Sequence, residues 1–265
     1  LMTSIARAAW TYDSSAQVLE NEDWTIASAA LKTAGGKNYL KVSGPIARKA
    51  ESTSTTIDLT GAAAVANASY IELWASVGTE LGVKRFIAPD VTYLRENTTF
   101  SGNTTIEEIE LSPDVTTFGH NVFNGTTALK TLRPRVFPSL TTLGQGAFQE
   151  SAVEGDFEFP AITQLNLQNV FLKAQNITSL KFDSLTEAKQ NYTFCGMTSL
   201  TNFYAPNAVR MSTIAFYHSN YSAFPCAKLE TVTLSANATS IPQFHYCAAL
   251  KSLTPTEFPL LTSSQ

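Results

Sequence analysis

From Phe100 onwards the large apolar residues of this chain return in a fixed order. Counted from Phe100, Ile106, Ile109 and Leu111 follow at offsets of 6, 9 and 11, then Pro113, the pair Val115 and Thr116, and the next marker phenylalanine, Phe123. The same frame gives Leu129 and Leu132 before Phe148, then Phe157, Phe159 and Pro160 before Phe171, and Ile177, Leu180 and Phe182 before Phe194. Leu200, Phe203, Ala205 and Pro206 follow Phe194. The marker phenylalanines are 23, 25, 23 and 23 residues apart. Upstream, Val83, Phe86, Ala88 and Pro89 fit the frame. Downstream it is interrupted by Tyr217–Ala223, which reads as an inserted loop. The frame is then expected to restart at Phe224 with Leu229, Val232 and Leu234, each one place early, and to continue from Phe244 with Leu250 and Leu253.

Offsets 9 and 11 have period two, which predicts a short strand with one buried face. The proline after it ends the strand. The Val-Thr-x-Leu cluster makes a return leg and the phenylalanine closes the turn. One such unit has too little apolar surface to fold alone, whereas stacked units share a core and pair their strands in parallel. A sandwich with strands every 8–12 residues would not bring Phe, Leu and Pro back in one order over so many frames. The expected fold is therefore a β-rich leucine-rich-repeat solenoid of about eight rungs, right-handed, with a unit length in the known 20–29 range. A parallel strand ladder would form one face, with strand, irregular or 3-10 returns on the other. Ile109, Leu132, Phe157, Leu180 and Phe203 should lie on consecutive strands of one curved ribbon.

The recurring pattern F-x-x-C-x-x-L-x-x-[LVI]-x-[LVI]-P-x-x-V-T-x-[IL] resembles the BspA-like (Treponema pallidum type) leucine-rich repeats. "FHYCAALKSL" at 244–253 and "FCGMTSLTNFYAPNAVRM" at 194–211 carry the resemblance most fully. It covers roughly residues 77–265. It implies a secreted or cell-surface protein, in some members an adhesin toward host matrix proteins or other microbes. Asparagine rarely takes the turn position it holds in longer leucine-rich repeats, so no asparagine ladder is expected.

Residues 1–76 stand outside the frame. They contain Trp10, Trp24 and Trp74, an "AGGK" turn at 34–37 and strand-like segments at 39–44 and 54–61. They read as a terminal cap for the first rung or as a small separate β domain. At the other end, "LKSLTPTEFPLLTSSQ" (250–265) parallels "LKTLRPRVFPSLTTLG" (129–144). The chain so stops mid-rung, which predicts either continuation past Gln265 or a contact with another subunit there.

Composition narrows the function. Charged residues make up 15% of the 265 residues and the net charge is −4, so no basic face for nucleic acid is implied. No apolar run approaches the roughly 18 residues of a membrane span, and the start lacks the apolar stretch of a signal peptide, which leaves export open. The histidines His120, His218 and His245 occupy unlike offsets and read as solvated turn residues. No HExxH, GxSxG, P-loop or GxGxxG motif is present. The chain is accordingly read as a non-enzyme with no cofactor. Three cysteines make an odd count. Cys226 and Cys247 both stand three places before a rung leucine, about 5 Å apart if stacked, near enough for a disulfide. The preferred reading is buried free thiols. Cys195 does not share their offset, and with no CxxC a zinc site is not expected. Eight Asn-x-Ser/Thr sequons occur, at Asn67, Asn97, Asn103, Asn124, Asn176, Asn191, Asn220 and Asn237. Most are read as repeat turns.

Offsets 8 and 10 point out of the ladder. Down the rungs they alternate in sign: Arg85, then Glu108 and Glu110, Arg133, Asp156 and Glu158, Lys181. Such charges pair across strands and steady the register. From Asn202 to Thr254 the face is neutral and hydroxyl-rich. The candidate ligand patch is therefore Asn202, Tyr204, Thr231, Thr233, Ser252 and Thr254, beside Tyr217 and Tyr221 of the inserted loop, for a protein or glycan partner, with no metal. The function expected is non-catalytic recognition or adhesion at the cell surface or outside the cell. The alternative is an architectural spacer presenting residues 1–76 or a further domain.

Overall fold

The apolar packets do form short strands, most with alternate residues buried, as in Glu108–Leu111, where Ile109 and Leu111 face inward. The computed structural model describes residues 9–95, 99–217 and 225–261. Strands Thr56–Asp58, Arg85–Ala88, Glu108–Leu111 and Thr131–Arg133 form one parallel sheet. Gly155–Glu158, Ile177–Lys181, Asn202–Tyr204, Thr231–Thr233 and Ser252–Thr254 form the next. The register is the one the frame requires. Ile109 is paired with Leu132, and Phe157, Leu180, Phe203, Val232 and Leu253 share one buried row.

The ladder is not one unbroken ribbon. Between Leu132 and Phe157 the pairing lapses, and the link is instead a single bridge between Val136 and Glu158. The Phe137 N–H donates to the Glu158 carbonyl (3.0 Å) and the Glu158 N–H to the Arg135 carbonyl (2.9 Å). This rung is the 25-residue one. Its two extra residues follow Pro134, which has no N–H to give, so the pairing slides to the residues beyond it.

The return legs are strands too. Ala29–Ala34, Lys37–Val42, Tyr70–Leu73, Val91–Leu94, Thr117–Phe118 and Thr142–Leu143 make a six-stranded sheet. Glu187–Ala188 pairs with Arg210–Met211 farther along. Both ladders thus reach back before residue 77. Thr56–Asp58 pairs in parallel with Arg85–Ala88, and Lys37–Val42 with Tyr70–Leu73. An antiparallel sheet of Thr11–Asp13, Val18–Glu20, Trp24–Ile26 and Ile46–Arg48 lies at this end. Its tryptophans satisfy the edge: Trp10 Nε1 donates to the Asp58 carbonyl (2.6 Å) and Trp24 Nε1 to the Thr56 carbonyl (2.8 Å). Open strand edges invite aggregation unless covered in this way.

One apolar core runs from Trp10 to Cys247. Its axis is a file of phenylalanine rings. The centroid spacings from Phe100 through Phe123, Phe148, Phe171, Phe194 and Phe216 to Phe244 are 5.7, 5.2, 5.2, 5.8, 5.1 and 5.6 Å. This corrects the frame in one place. Phe216, not Phe224, closes the rung after Phe194, so the insertion lies between Phe216 and Cys226. Phe224 and most of the insertion fall outside the described residues.

Two turn positions per rung carry left-handed backbone. One lies two residues before the marker phenylalanine (Asn121, Gly146, Asn169, Tyr192) and the other two after it (Gly102, Gly125, Glu150, Lys173, Gly196, Tyr246), with φ between 54° and 79°. Glycine and asparagine tolerate this region best, which accounts for part of the Asn and Gly content. Threonine has its own use. Thr116 Oγ1 donates to the Thr92 carbonyl (3.1 Å), Thr141 to Thr116 (3.3 Å), Thr186 to Thr163 (3.0 Å) and Thr201 to Thr178 (2.9 Å). A hydroxyl on one rung thus satisfies a carbonyl of the rung before it.

Candidate recognition surface

The candidate patch is built by the last three ladder strands. Buried Phe203 and Val232 and the partly buried Leu253 turn their neighbours outward. Asn202, Thr231 and Ser252 then form one column, and Tyr204, Thr233 and Thr254 the next. All six are partly or fully exposed. The first column is tied together. Asn202 Nδ2 donates to Ser179 Oγ (3.2 Å), and Thr231 Oγ1 donates to Asn202 Oδ1 (2.5 Å).

Tyr217 is placed elsewhere. Its ring lies 5.0 Å from His245 and 5.9 Å from Tyr246, at the turn edge of the solenoid rather than on the ladder face. Tyr221 and His218 lie outside the described residues. The sequence reading missed Tyr246, which is 58% exposed. The signal was available, since a bulky aromatic stands at a left-handed turn position that three other rungs fill with glycine.

Toward the N-terminal side the outward columns are ionic, as their alternating signs suggest. Arg85 pairs with Glu108 (3.1 Å) and Glu110 (3.8 Å), Arg133 with Glu108 (3.8 Å), and Lys181 with Glu158 (3.0 Å). The hydrogen bond that Lys181 donates to Glu158 raises the Lys181 pKa above its ordinary value. On the return side, Glu187 bonds Lys189 (2.6 Å) and Arg210. The Lys189 hydrogen bond is the main reason its carboxyl stays below the usual glutamate range.

The three thiols are free and buried. Burial pushes Cys195 and Cys247 up to about 11 and Cys226 up to about 12. Both Cys247 and Cys195 add to the shift at Cys226, so Cys195 is a neighbour of the pair despite its different offset. Thiols so protonated are poor nucleophiles. Among the described residues no three His, Cys, Asp or Glu side chains are grouped to hold a metal, and no helix is long and apolar enough to cross a membrane. Of the sequons, Asn103 is fully buried and its side chain is engaged, with Nδ2 donating to the Val77 carbonyl (2.7 Å) and Oδ1 accepting from the Ile106 N–H (2.8 Å). Asn67, Asn176, Asn191 and Asn237 are exposed. Asn97 and Asn220 lie outside the described residues.

A family model described as the BspA type leucine rich repeat region matches residues 92–222 and 168–259, in six copies. A solved structure of a leucine-rich repeat protein from Bacteroides ovatus is 14% identical, with 88% of this chain and 75% of that chain covered and a TM-score of 0.35. No curated protein matches.

Proposed function

The chain belongs to the BspA-type leucine-rich-repeat family, and from that premise we propose that it is a non-catalytic recognition module, displayed at the cell surface or secreted, that binds a protein or glycan through its ladder face. The supporting observation is a change of chemistry along one continuous sheet. Ion pairs occupy the outward columns as far as Lys181, and from Asn202 onward the columns are neutral and hydroxyl-rich. Neutral hydroxyls beside a tyrosine give up little hydration on contact and offer many hydrogen bonds, which suits a protein or carbohydrate surface. Residues 1–76 serve in this reading as the cap of the solenoid, a role supported by the tryptophan donors on the strand Thr56–Asp58. The uninterrupted core also favours a second reading, a stiff spacer that holds another domain away from its attachment point.

A glycan and matrix-protein binding array on the purified chain identifies the ligand. Tyr204→Ala with Thr233→Val should then weaken binding about tenfold or more, as losing one aromatic anchor commonly does. A ligand bound equally well by that double variant removes the ladder face as the site. An array without any ligand favours the spacer.

A further inference from the structure

The return sheet carries a second exposed surface near the start of the chain, away from the ladder. On strand Lys37–Val42, Leu40 and Val42 are fully buried, so Tyr39 and Lys41 point outward. On Tyr70–Leu73, Ile71 and Leu73 are fully buried, which turns Tyr70 and Glu72 outward. The register sets Tyr39 opposite Tyr70, Lys41 opposite Glu72, and Tyr93 opposite Glu72 from the other side.

These side chains form an ordered stack. The Tyr39 and Tyr70 rings are 5.2 Å apart and 3° from parallel, and Trp74 and Tyr93 are 5.7 Å apart at 26°. Lys41 Nζ stands 3.6 Å from the Trp74 ring centre and the Arg95 guanidinium 4.7 Å from it. Trp74 Nε1 donates to Glu72 Oε2 (3.0 Å). The hairpin strand adds Lys32 opposite Tyr39. Three cations and four aromatic rings thus share this face with the carboxylate of Glu72, in a chain whose net charge is −4. The excess of positive charge is local, and it marks an anionic partner.

The shape selects the class of partner. Lys41, Glu72, Tyr93, Thr117 and Thr142 form one outward row across the sheet, and Lys32, Tyr39 and Tyr70 form a shorter row beside it. At about 4.8 Å per strand, six strands give a file roughly 24 Å long. The file is narrow, whereas a stable protein interface covers about 800 Å² on each partner. A file of ring edges, hydroxyls and spaced cations fits an extended polymer laid across the strands. We propose that this face binds a linear acidic polysaccharide, with Lys32, Lys41 and Arg95 taking its carboxylates and the Tyr39, Tyr70 and Trp74 edges lying against its sugar rings.

Binding of the full chain to polygalacturonate, to its methyl-esterified form and to polyglutamate of matched length tests this. Polygalacturonate should bind, the methyl ester should bind at least about tenfold more weakly, and added salt should weaken the complex because the contacts are exposed. Lys41→Glu with Arg95→Glu should lose about tenfold or more, the equivalent of one good ion pair. Lys32→Glu, on the exposed hairpin, should act in the same direction and keeps the test open should the double variant fail to fold. Tyr204→Ala should leave this binding unchanged, which separates the result from the ladder-face reading. Absence of polygalacturonate binding overturns the proposal. So does equal binding of polyglutamate, which would assign the face to acidic protein surfaces, or indifference to the charge reversals.

Discussion

Phe148→Ala tests the claim that ring stacking joins the two halves of the solenoid. Phe148 is fully buried, and its ring lies 5.2 Å from both Phe123 and Phe171, 5.9 Å from Phe118, and 6.3 Å from Phe157 and Phe159. Removing a buried phenylalanine side chain costs about 3–5 kcal/mol in lost transfer energy and residual cavity. This site belongs at the upper end. It closes the rung where ladder pairing lapses to one bridge, so the ring supports the stack where strand pairing is thinnest. Phe244 gives the comparison, since it is partly exposed and lies at the far end of the file, with its ring 5.6 Å from Phe216. Phe244→Ala should cost about 2 kcal/mol or less, in proportion to the smaller area returned to water. Urea unfolding followed by circular dichroism reads both. Wild type should unfold in one transition, and Phe148→Ala should broaden it or split it in two, with a lower apparent m-value, as nearest-neighbour coupling weakens. A single sharp transition with a loss under about 2 kcal/mol, or a loss no larger than that of Phe244→Ala, refutes the reasoning.

Two further expectations concern the interior. Thr201→Val keeps the shape but removes the donor to the Thr178 carbonyl (2.9 Å), so it should cost about 0.5–1.5 kcal/mol in a thermal melt, while Thr201→Ser should be nearly neutral. The buried thiols make the fold alkali-sensitive. Their folded pKa values of about 11 to 12 lie above the ordinary 9.0, so the stability they lend is complete below pH 9 and is lost as pH rises toward 11 to 12. The urea midpoint should therefore fall between pH 8 and pH 10.5 and fall less in Cys226→Ala, and a thiol reagent at pH 8 should label the protein only after unfolding. Labelling of the native protein at pH 8 at the rate of the denatured chain would contradict the burial argument.

Much of this fold is legible in the chain because the informative residues are both apolar and periodic. The interval from Ile109 to Leu132 is enough to place them side by side, and with the intervals from Phe157 to Leu180 and Phe203 it fixes the outward columns as well. What escapes the reading has no constant interval. Ile57 stands 29 residues before Phe86, its partner, so the strand Thr56–Asp58 looked like part of an unrelated segment. Phe216 and Phe224 both follow alanine and both precede Leu229. Spacing cannot choose between them, whereas ring contact with Phe194 at 5.1 Å and Phe244 at 5.6 Å does. Pro134 follows the strand Thr131–Arg133, and its effect on the next pairing depends on two extra residues whose placement no local pattern gives. Tyr217, His245 and Tyr246 come together because Phe216, next to Tyr217, stacks on Phe244, next to His245.

The candidate ladder face divides the same way between holding the fold and facing outward. Exposed ion pairs add only about 0.2–1 kcal/mol each, so the Arg85, Glu108 and Arg133 series chiefly selects the register and leaves few charges unengaged. Where the charges stop, Ser179, Asn202 and Thr231 take over that duty by passing hydrogen bonds from strand to strand. Their polar atoms are thereby partly committed within the protein. A ligand approaching this sheet would have to break those bonds to use the Asn202 column, at a cost comparable to the bonds it gained. The neighbouring column of Tyr204, Thr233 and Thr254 stands in register beside it without being part of that chain. Its hydroxyls face solvent at strand spacing, and its tyrosine supplies apolar area with little entropy to lose. A substitution in the Asn202 column should therefore disturb register first and binding second, whereas Tyr204 and Thr233 can change binding while the ladder stands.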